Sequence, residues 1–162
     1  MIRGYLFRAK RVDNKEWVYG YYVKAQKLDR SGYEHFIIEE DADGKTYSVI
    51  PETVCQCVGL PDKNENPIFE DDIVKQEYSK TINVMYDPGT LGYLDSESIE
   101  GYHIGVVRRL SHYGACMRNP ISHNSIEGTE RRINRIVGLA GYRCQVIGNI
   151  HDNPKLLEVH NG

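Results

Sequence analysis

Long apolar runs are missing from this 162-residue chain. The hydrophobic stretches are only a few residues long, as at Val146–Ile147 or across Ile136–Ala140, far short of the ~20 residues a membrane-spanning helix needs. Met1 is followed by Ile2, Arg3, Gly4 and Tyr5 and then by charge, with no apolar stretch ending in a small-residue cleavage site. No secretory signal is expected, and the expectation is a cytoplasmic protein with no membrane partner. Cysteine is scarce, with four residues, Cys55, Cys57, Cys116 and Cys144. In the cytosol disulfides are not expected, which leaves metal binding or plain burial. Cys55 and Cys57 lie two apart in an alternating run and so share a face. A second pair at zinc-knuckle spacing is absent, and the pair reads as two small buried hydrophobes with no metal site. Also missing are a nucleophile elbow, a P-loop, His-x-x-x-His or His-Glu spacing, and a paired His and Cys. His103, His112, His123 and His151 are scattered through loop-like text. The expectation is no enzyme, no catalytic residues, no cofactor and no small-molecule substrate.

What is present is ordinary globular composition, 40% hydrophobic and 27% charged, enough for one domain over residues 1–162 with a core that needs no staple. The net charge of −3 hides a polarity. From Asp29 to Glu77 there are 13 acidic residues against Arg30, Lys45, Lys63 and Lys75, a net −9. From Gly101 to Arg143 there are seven arginines and no lysine, against Glu127 and Glu130, a net +5. Guanidinium groups pair bidentately with carboxylate or phosphate, so an all-arginine segment suits an ion-paired interface or nucleic acid. The plainer alternative is a solvated face with intramolecular pairs to the acidic half.

Twelve tyrosines, Trp17 and three phenylalanines sit mostly in short alternating runs broken by turn chemistry at about 8–12-residue intervals, the pattern of a mainly β, antiparallel domain, barrel-like or open. Met1–Ala9 and Trp17–Val23 read as a hairpin, with Trp17, Tyr19, Tyr21 and Val23 on one face and Trp17 a core-layer residue. Tyr33–Glu40 and Lys45–Ile50 form a second hairpin about Asp41–Gly44, whose Asp-Gly end is a turn rather than a calcium loop. Val54–Val58 is a strand. Glu70-Asp71-Asp72 reads as a polar turn, since alternate residues of an extended chain face opposite ways. Ile73–Tyr78 and Thr81–Tyr86 read as strands about a tight turn at Ser79-Lys80. Asp95–Gly101 is loop or one helical turn, and Tyr102–Leu110 and Tyr142–Ile147 are strands. Ser111–Gly128 has no period and reads as a long loop within an arginine-bearing insertion of about 87–143. Ile133, Ile136, Val137 and Ala140 fall on one helical stripe, so Thr129–Ala140 is expected as a short amphipathic helix. Asn153 as N-cap and Pro154 behind it suggest a C-terminal helical turn through Glu158.

Three groups of residues stand out together: Phe7-Arg8-Ala9 with Trp17-Val18-Tyr19-Gly20; Pro51-Glu52-Thr53-Val54 with Gly59-Leu60-x-Asp62-Lys63-Asn64 and Ile68-Phe69-Glu70-x-Asp72-Ile73-Val74; and Val146-Ile147-Gly148-Asn149-Ile150 with Asn153-Pro154-x-Leu156-Leu157. In this order they resemble the YopX family, small cytosolic proteins carried by bacteriophages and prophages. The resemblance covers the chain apart from about Asp87 to Arg143. It implies a β-rich, self-associating domain in the bacterial host cytoplasm, and it carries over no catalytic residues. Asp71 stands where the family usually has glycine; aspartate is among the few side chains that tolerate positive φ, so the turn can survive. Glu70, Asp72 and Asn149 are the shared residues least easily explained by packing, and Asn149 reads as a residue that tolerates a left-handed turn.

The leading expectation is a non-enzymatic, self-associating interaction module in which the two charged regions meet head to tail. Arg108, Arg109, Arg131, Arg132 and Arg135 are its basic side and Glu70, Asp71 and Asp72 its acidic side. The alternative is a nucleic-acid-binding accessory protein that uses the 101–143 arginines, with Tyr102, Tyr113 and Tyr142 as stacking surfaces. A pI near 6.1 and the acidic half weigh against it.

Overall fold

The computed structural model describes residues 6–41 and 43–159; residues 1–5 of the first expected strand and Ala42 of the second hairpin turn lie outside them. Among the described residues there are 13 strands: β1 (Phe7–Lys10), β2 (Trp17–Gln26), β3 (Tyr33–Ile38), β4 (Thr46–Ser48), β5 (Cys55–Pro61), β6 (Pro67–Phe69), β7 (Asp72–Tyr86), β8 (Tyr93–Leu110), β9 (Gly114–Arg118), β10 (Ile121–Asn124), β11 (Thr129–Arg132), β12 (Ile136–Gly138) and β13 (Cys144–Asn149). The helical pieces are 3₁₀ turns at Pro51–Thr53, Gly141–Arg143 and Pro154–Leu157. None of these can cross a membrane.

All pairing is antiparallel, in two open sheets. A six-stranded sheet runs β4-β3-β2-β1-β5-β6 and a seven-stranded sheet includes the path β11-β10-β8-β7-β13, with β9 pairing the far end of β8 and β12 pairing β9. Among the described residues neither closes into a barrel. Ala9, Val18, Ile37 and Val49 form the core of the first sheet, and Ile68, Val74, Val107, Met117 and Cys144 that of the second. Cys55, Cys57 and Phe69, with Leu6 and Trp17 against them, fill the region where β5 and β6 lead into β7.

Several expectations are corrected. In β2 the buried face is Val18 and Gly20, with Tyr22 half-buried, while Tyr19 and Tyr21 are exposed. Both alternating sets are apolar, so period alone does not say which faces inward; of the expected set, Trp17 packs on the third cluster. Ser111–Gly128 carries β9 and β10 rather than a long loop. Thr129–Ala140 is not a helix: Thr129–Arg132 pairs with β10 and Ile136–Gly138 with β9. The apolar residues at helical spacing come from two short strands and their link, and Gly138 lies at the end of the second. Asn153 makes no side-chain cap at the last turn.

The largest difference concerns the expected turn at Ser79-Lys80, which is the middle of a strand. β7 and β8 pair from Ile73↔Val106 out to Tyr86↔Tyr93, with register shifts between Ile82 and Met85 and between Met85 and Tyr86, and the reversal is at Asp87, whose Oδ1 accepts from Gly89 N, Thr90 N and Thr90 Oγ1. β13 covers β7 only as far as Gln76 and β10 covers β8 only at Gly101–Ile104. Beyond Tyr78↔Gly101 the two strands therefore continue as a bare ribbon about 25 Å long in which no residue from Ser79 to Glu100 is buried. At its root a Cβ on Gly101 would stand 2.0 Å from His123 O, so only glycine fits between the ribbon and β10.

Candidate functional site

Several of the residues that carry the family resemblance, among them Arg8, Trp17, Phe69, Asp72 and Asn149, converge beside the third cluster. Arg8 on β1 lies directly opposite Cys55 on β5, so the two side chains share a face. The Arg8 guanidinium stacks over Trp17 and Phe69, 4.7 and 4.8 Å from the ring centroids, and donates from Nη2 to Asp72 Oδ1 at 2.5 Å. Asp72 Oδ2 accepts the Phe69 N–H at 2.8 Å. Asp72 is 1% exposed, so it ties β1 to β7 and is not presented to a partner subunit, which corrects its place on the acidic face. Burial pushes its carboxyl upward against the pull of Arg8 and the Phe69 N–H.

Asp71 takes φ 67°, the left-handed conformation expected from the family's glycine at this place. Its N–H donates to Val107 O at 3.1 Å and its carbonyl accepts from Ile150 N at 3.0 Å. These bonds aim the carboxylate at Arg108, with which it pairs, and at His151. Arg108 and Asp71, expected on opposite partner-facing patches, thus meet within one chain.

Asn149 builds the third wall through its side chain rather than a left-handed backbone. Its Oδ1 accepts from His151 N and Asp152 N, both at 3.0 Å, and its Nδ2 donates to Asp152 Oδ2 at 3.0 Å. Asn153 Oδ1 in turn accepts Asn149 N, and a Cβ on Gly148 would stand 2.6 Å from that oxygen. Asp152 also accepts from Lys10 and, at 2.8 Å, from Trp17 Nε1. Hydrogen bonds from Lys10, Asn149 and Trp17 hold its carboxyl well below the usual carboxylate range. His151 packs edge-on against Trp17, ring centroids 5.7 Å apart.

Cys55 Sγ, Asp71 Oδ2 and His151 Nε2 meet as a result. Sγ is 3.7 Å from Oδ2 and 3.9 Å from Nε2, and Oδ2 is 3.4 Å from Nε2. Burial pushes the Cys55 thiol up. Burial, then Lys10 and Arg8, hold His151 below its ordinary value, so the ring is neutral near pH 7. Among the described residues this trio is the group whose donor atoms could hold a metal ion. Separations of 16 residues to Asp71 and 96 to His151 explain why no sequence spacing announces it. Cys57 lies on the same side of β5 and stays wholly within the core.

The five arginines do not form one patch. Arg109 donates to Cys57 O at 2.8 Å. Arg132 donates to Asn119 O and Leu157 O, holding the C-terminal turn against the chain. Arg131 and Arg135 line a groove of about 870 Å³ with Tyr78, His103, Ser122 and Ile133, on one face of the second sheet. Arg131 is exposed, and Arg135 Nη2 lies 3.4 Å from His103 Nε2. On the other face Tyr102 is stacked on His123 at 4.5 Å and lies under Lys75, so its ring is already occupied. Glu70, in the turn before β7, donates its N–H to Gln56 O on β5.

Comparison with curated proteins gives no match. The family model described as YopX protein matches residues 6–158, a span that takes in all three walls of the site and the intervening arginine-bearing strands. On that match the chain belongs to the YopX family.

Proposed function

We propose that this is a phage- or prophage-borne cytoplasmic protein that acts by binding, without chemistry of its own, and assembles with copies of itself. The observation that carries this reading is the β7–β8 ribbon. A two-stranded ribbon alone is marginal in water, and this one exposes Val84, Met85, Tyr86, Leu91, Tyr93 and Leu94, each between 40% and 77% accessible. An apolar surface of that kind marks an interaction site. Its charge indicates the partner: from Ser79 to Glu100 it bears Lys80 against Asp87, Asp95, Glu97 and Glu100. The groove with Arg131 and Arg135 offers the complement, with Ile99 and Ile133 among its lining residues. The occupant of the groove is the arm of a second copy. Such a contact joins two different surfaces, so it propagates head to tail and closes into a ring where the rotation permits. Nucleic acid is the competing occupant of the arginines, with Tyr113 and Tyr142 as exposed rings.

Size-exclusion chromatography with light scattering, on protein purified without nuclease, tests the reading. The expected result is a defined multiple of 18.6 kDa free of nucleic acid, reduced to a folded monomer by Met85→Lys with Tyr93→Lys at the arm. A wild-type monomer overturns it, as does a peak whose ultraviolet absorbance ratio shows nucleic acid that high salt strips away.

A further inference from the structure

We infer that Cys55, Asp71 and His151 bind one divalent transition ion of the zinc class. A tetrahedral ion with zinc's ordinary bond lengths, about 2.3 Å to sulfur and about 2.0–2.1 Å to nitrogen and oxygen, sets edges of about 3.5–3.6 Å from S to either O or N and about 3.3–3.4 Å from N to O. The edges here are 3.7, 3.9 and 3.4 Å in the same order. The three donors thus have the two longer edges at sulfur, as such an ion requires, and need to close by only roughly 0.1–0.4 Å. Hydrogen bonding alone does not require the imidazole, because the Cys55 thiol already has Thr53 O as an acceptor at 3.3 Å.

Each donor comes from a separately fixed element. Cys55 is set by the β5 ladder, Asp71 by the backbone bonds of its left-handed turn, and His151 by the Asn149 side chain. A site held this way loses little entropy when the ion arrives. Thiolate, imidazole and carboxylate together favour zinc and its neighbours over magnesium or calcium, which take oxygen ligands. Three protein donors leave the fourth tetrahedral position to water.

The surrounding charges decide the affinity. Arg8 is matched by Asp72 and also favours the charged form of the Cys55 thiol, Lys10 is matched by Asp152, and Arg108 pairs directly with the ligand Asp71. Binding expels the thiol proton, so a divalent ion adds one net positive charge beside Arg108. Arg108 is therefore a brake: it orients Asp71 and competes with the ion for it. The site stands independently of self-association, since none of its ligands lies on the arm or in the arginine groove.

The test is cobalt(II) titration of the full chain after chelator treatment. A cobalt–thiolate bond gives a near-ultraviolet charge-transfer band, and tetrahedral coordination gives intense visible bands. Trp17, the single tryptophan, packs on His151 and reports binding through quenching of its fluorescence. The expected result is saturation at one ion per chain with both signals, reversed by zinc. Cys55→Ser loses the charge-transfer band while Cys57→Ser keeps it. His151→Gln weakens binding by about tenfold or more, and Arg108→Gln tightens it. No charge-transfer band in the wild type, or one that survives in Cys55→Ser, overturns the inference. Should Cys55→Ser fail to fold, His151→Gln decides, because its imidazole sits at the rim of the site: unchanged affinity in the folded variant overturns the inference as firmly.

Discussion

His103 stacks on Tyr78 with ring centroids 4.6 Å apart and lies beside Arg135, on a strand position opposite Gln76 and Ser122. Burial, then the Arg135 charge, bring its pKa down to about 4, and its Nδ1 has no hydrogen-bond partner among the described residues. In the unfolded chain the same ring titrates near 6.5. Between those values the unfolded state binds a proton that the folded state refuses, so stability is full above about pH 6.5 and is lost as pH falls toward 4. The loss is on the order of 2–3 kcal/mol across that window. His103→Gln should flatten this part of the profile, and Arg135→Ala, which removes a charge that holds the His103 pKa down, should make the loss smaller. Urea unfolding at pH 7 and pH 4.5 checks both. Equal acid sensitivity in wild type and His103→Gln would place the titrating groups elsewhere.

Among the elements, the turn between β6 and β7 sets the geometry of the site. Its left-handed residue is Asp71, φ 67°, where an alanine costs about 1–2 kcal/mol of backbone strain and a glycine does not. Asp71→Ala and Asp71→Gly both remove the carboxylate, so the difference between them isolates the backbone. Asp71→Gly should be the more stable by about 1 kcal/mol in urea unfolding; equal stability would mean the turn relaxes. Aspartate in place of the family's glycine made this conformation legible in the sequence. The short hairpins of the first sheet were legible too, because Asp-Gly and Asp-Asn turns separate short runs of strand-forming residues, although in β2 both faces are apolar and its buried side was not legible. The arm was not, because Ser79-Lys80 carries turn chemistry while its neighbours hold the ladder from both sides. Nor was the strand character of 129–138, where apolar residues of two strands fall by chance at helical spacing. The site itself escaped because Arg8, Cys55, Asp71 and His151 meet only through cross-strand pairing and a loop pinned by Asn149. In the text Asn149 shows only as an unexplained polar residue.

Across the whole molecule, the acidic residues of 29–77 lie mostly in and around the first sheet and the arginines of 101–143 in the second. Some of this polarity is spent internally, as the Arg108–Asp71 and Lys63–Glu77 pairs show. What remains outward is the acidic arm at one end and Arg131 with Arg135 at its root. An exposed pairing of these charges between copies should weaken as salt shortens the screening length to about 3 Å near 1 M, although the apolar arm residues would retain part of the contact. Charge reversal separates the geometries further. Asp95→Lys with Glu97→Lys reverses the arm, and Arg131→Glu with Arg135→Glu reverses the groove; either pair alone should leave monomers in light scattering. All four in one chain should restore assembly. So should an equimolar mixture of the two half-reversed chains, because each then offers the surface the other lacks. A contact of arm against arm would instead respond to the arm reversal and ignore the groove, and assembly that survives both reversals would remove these charges from the interface.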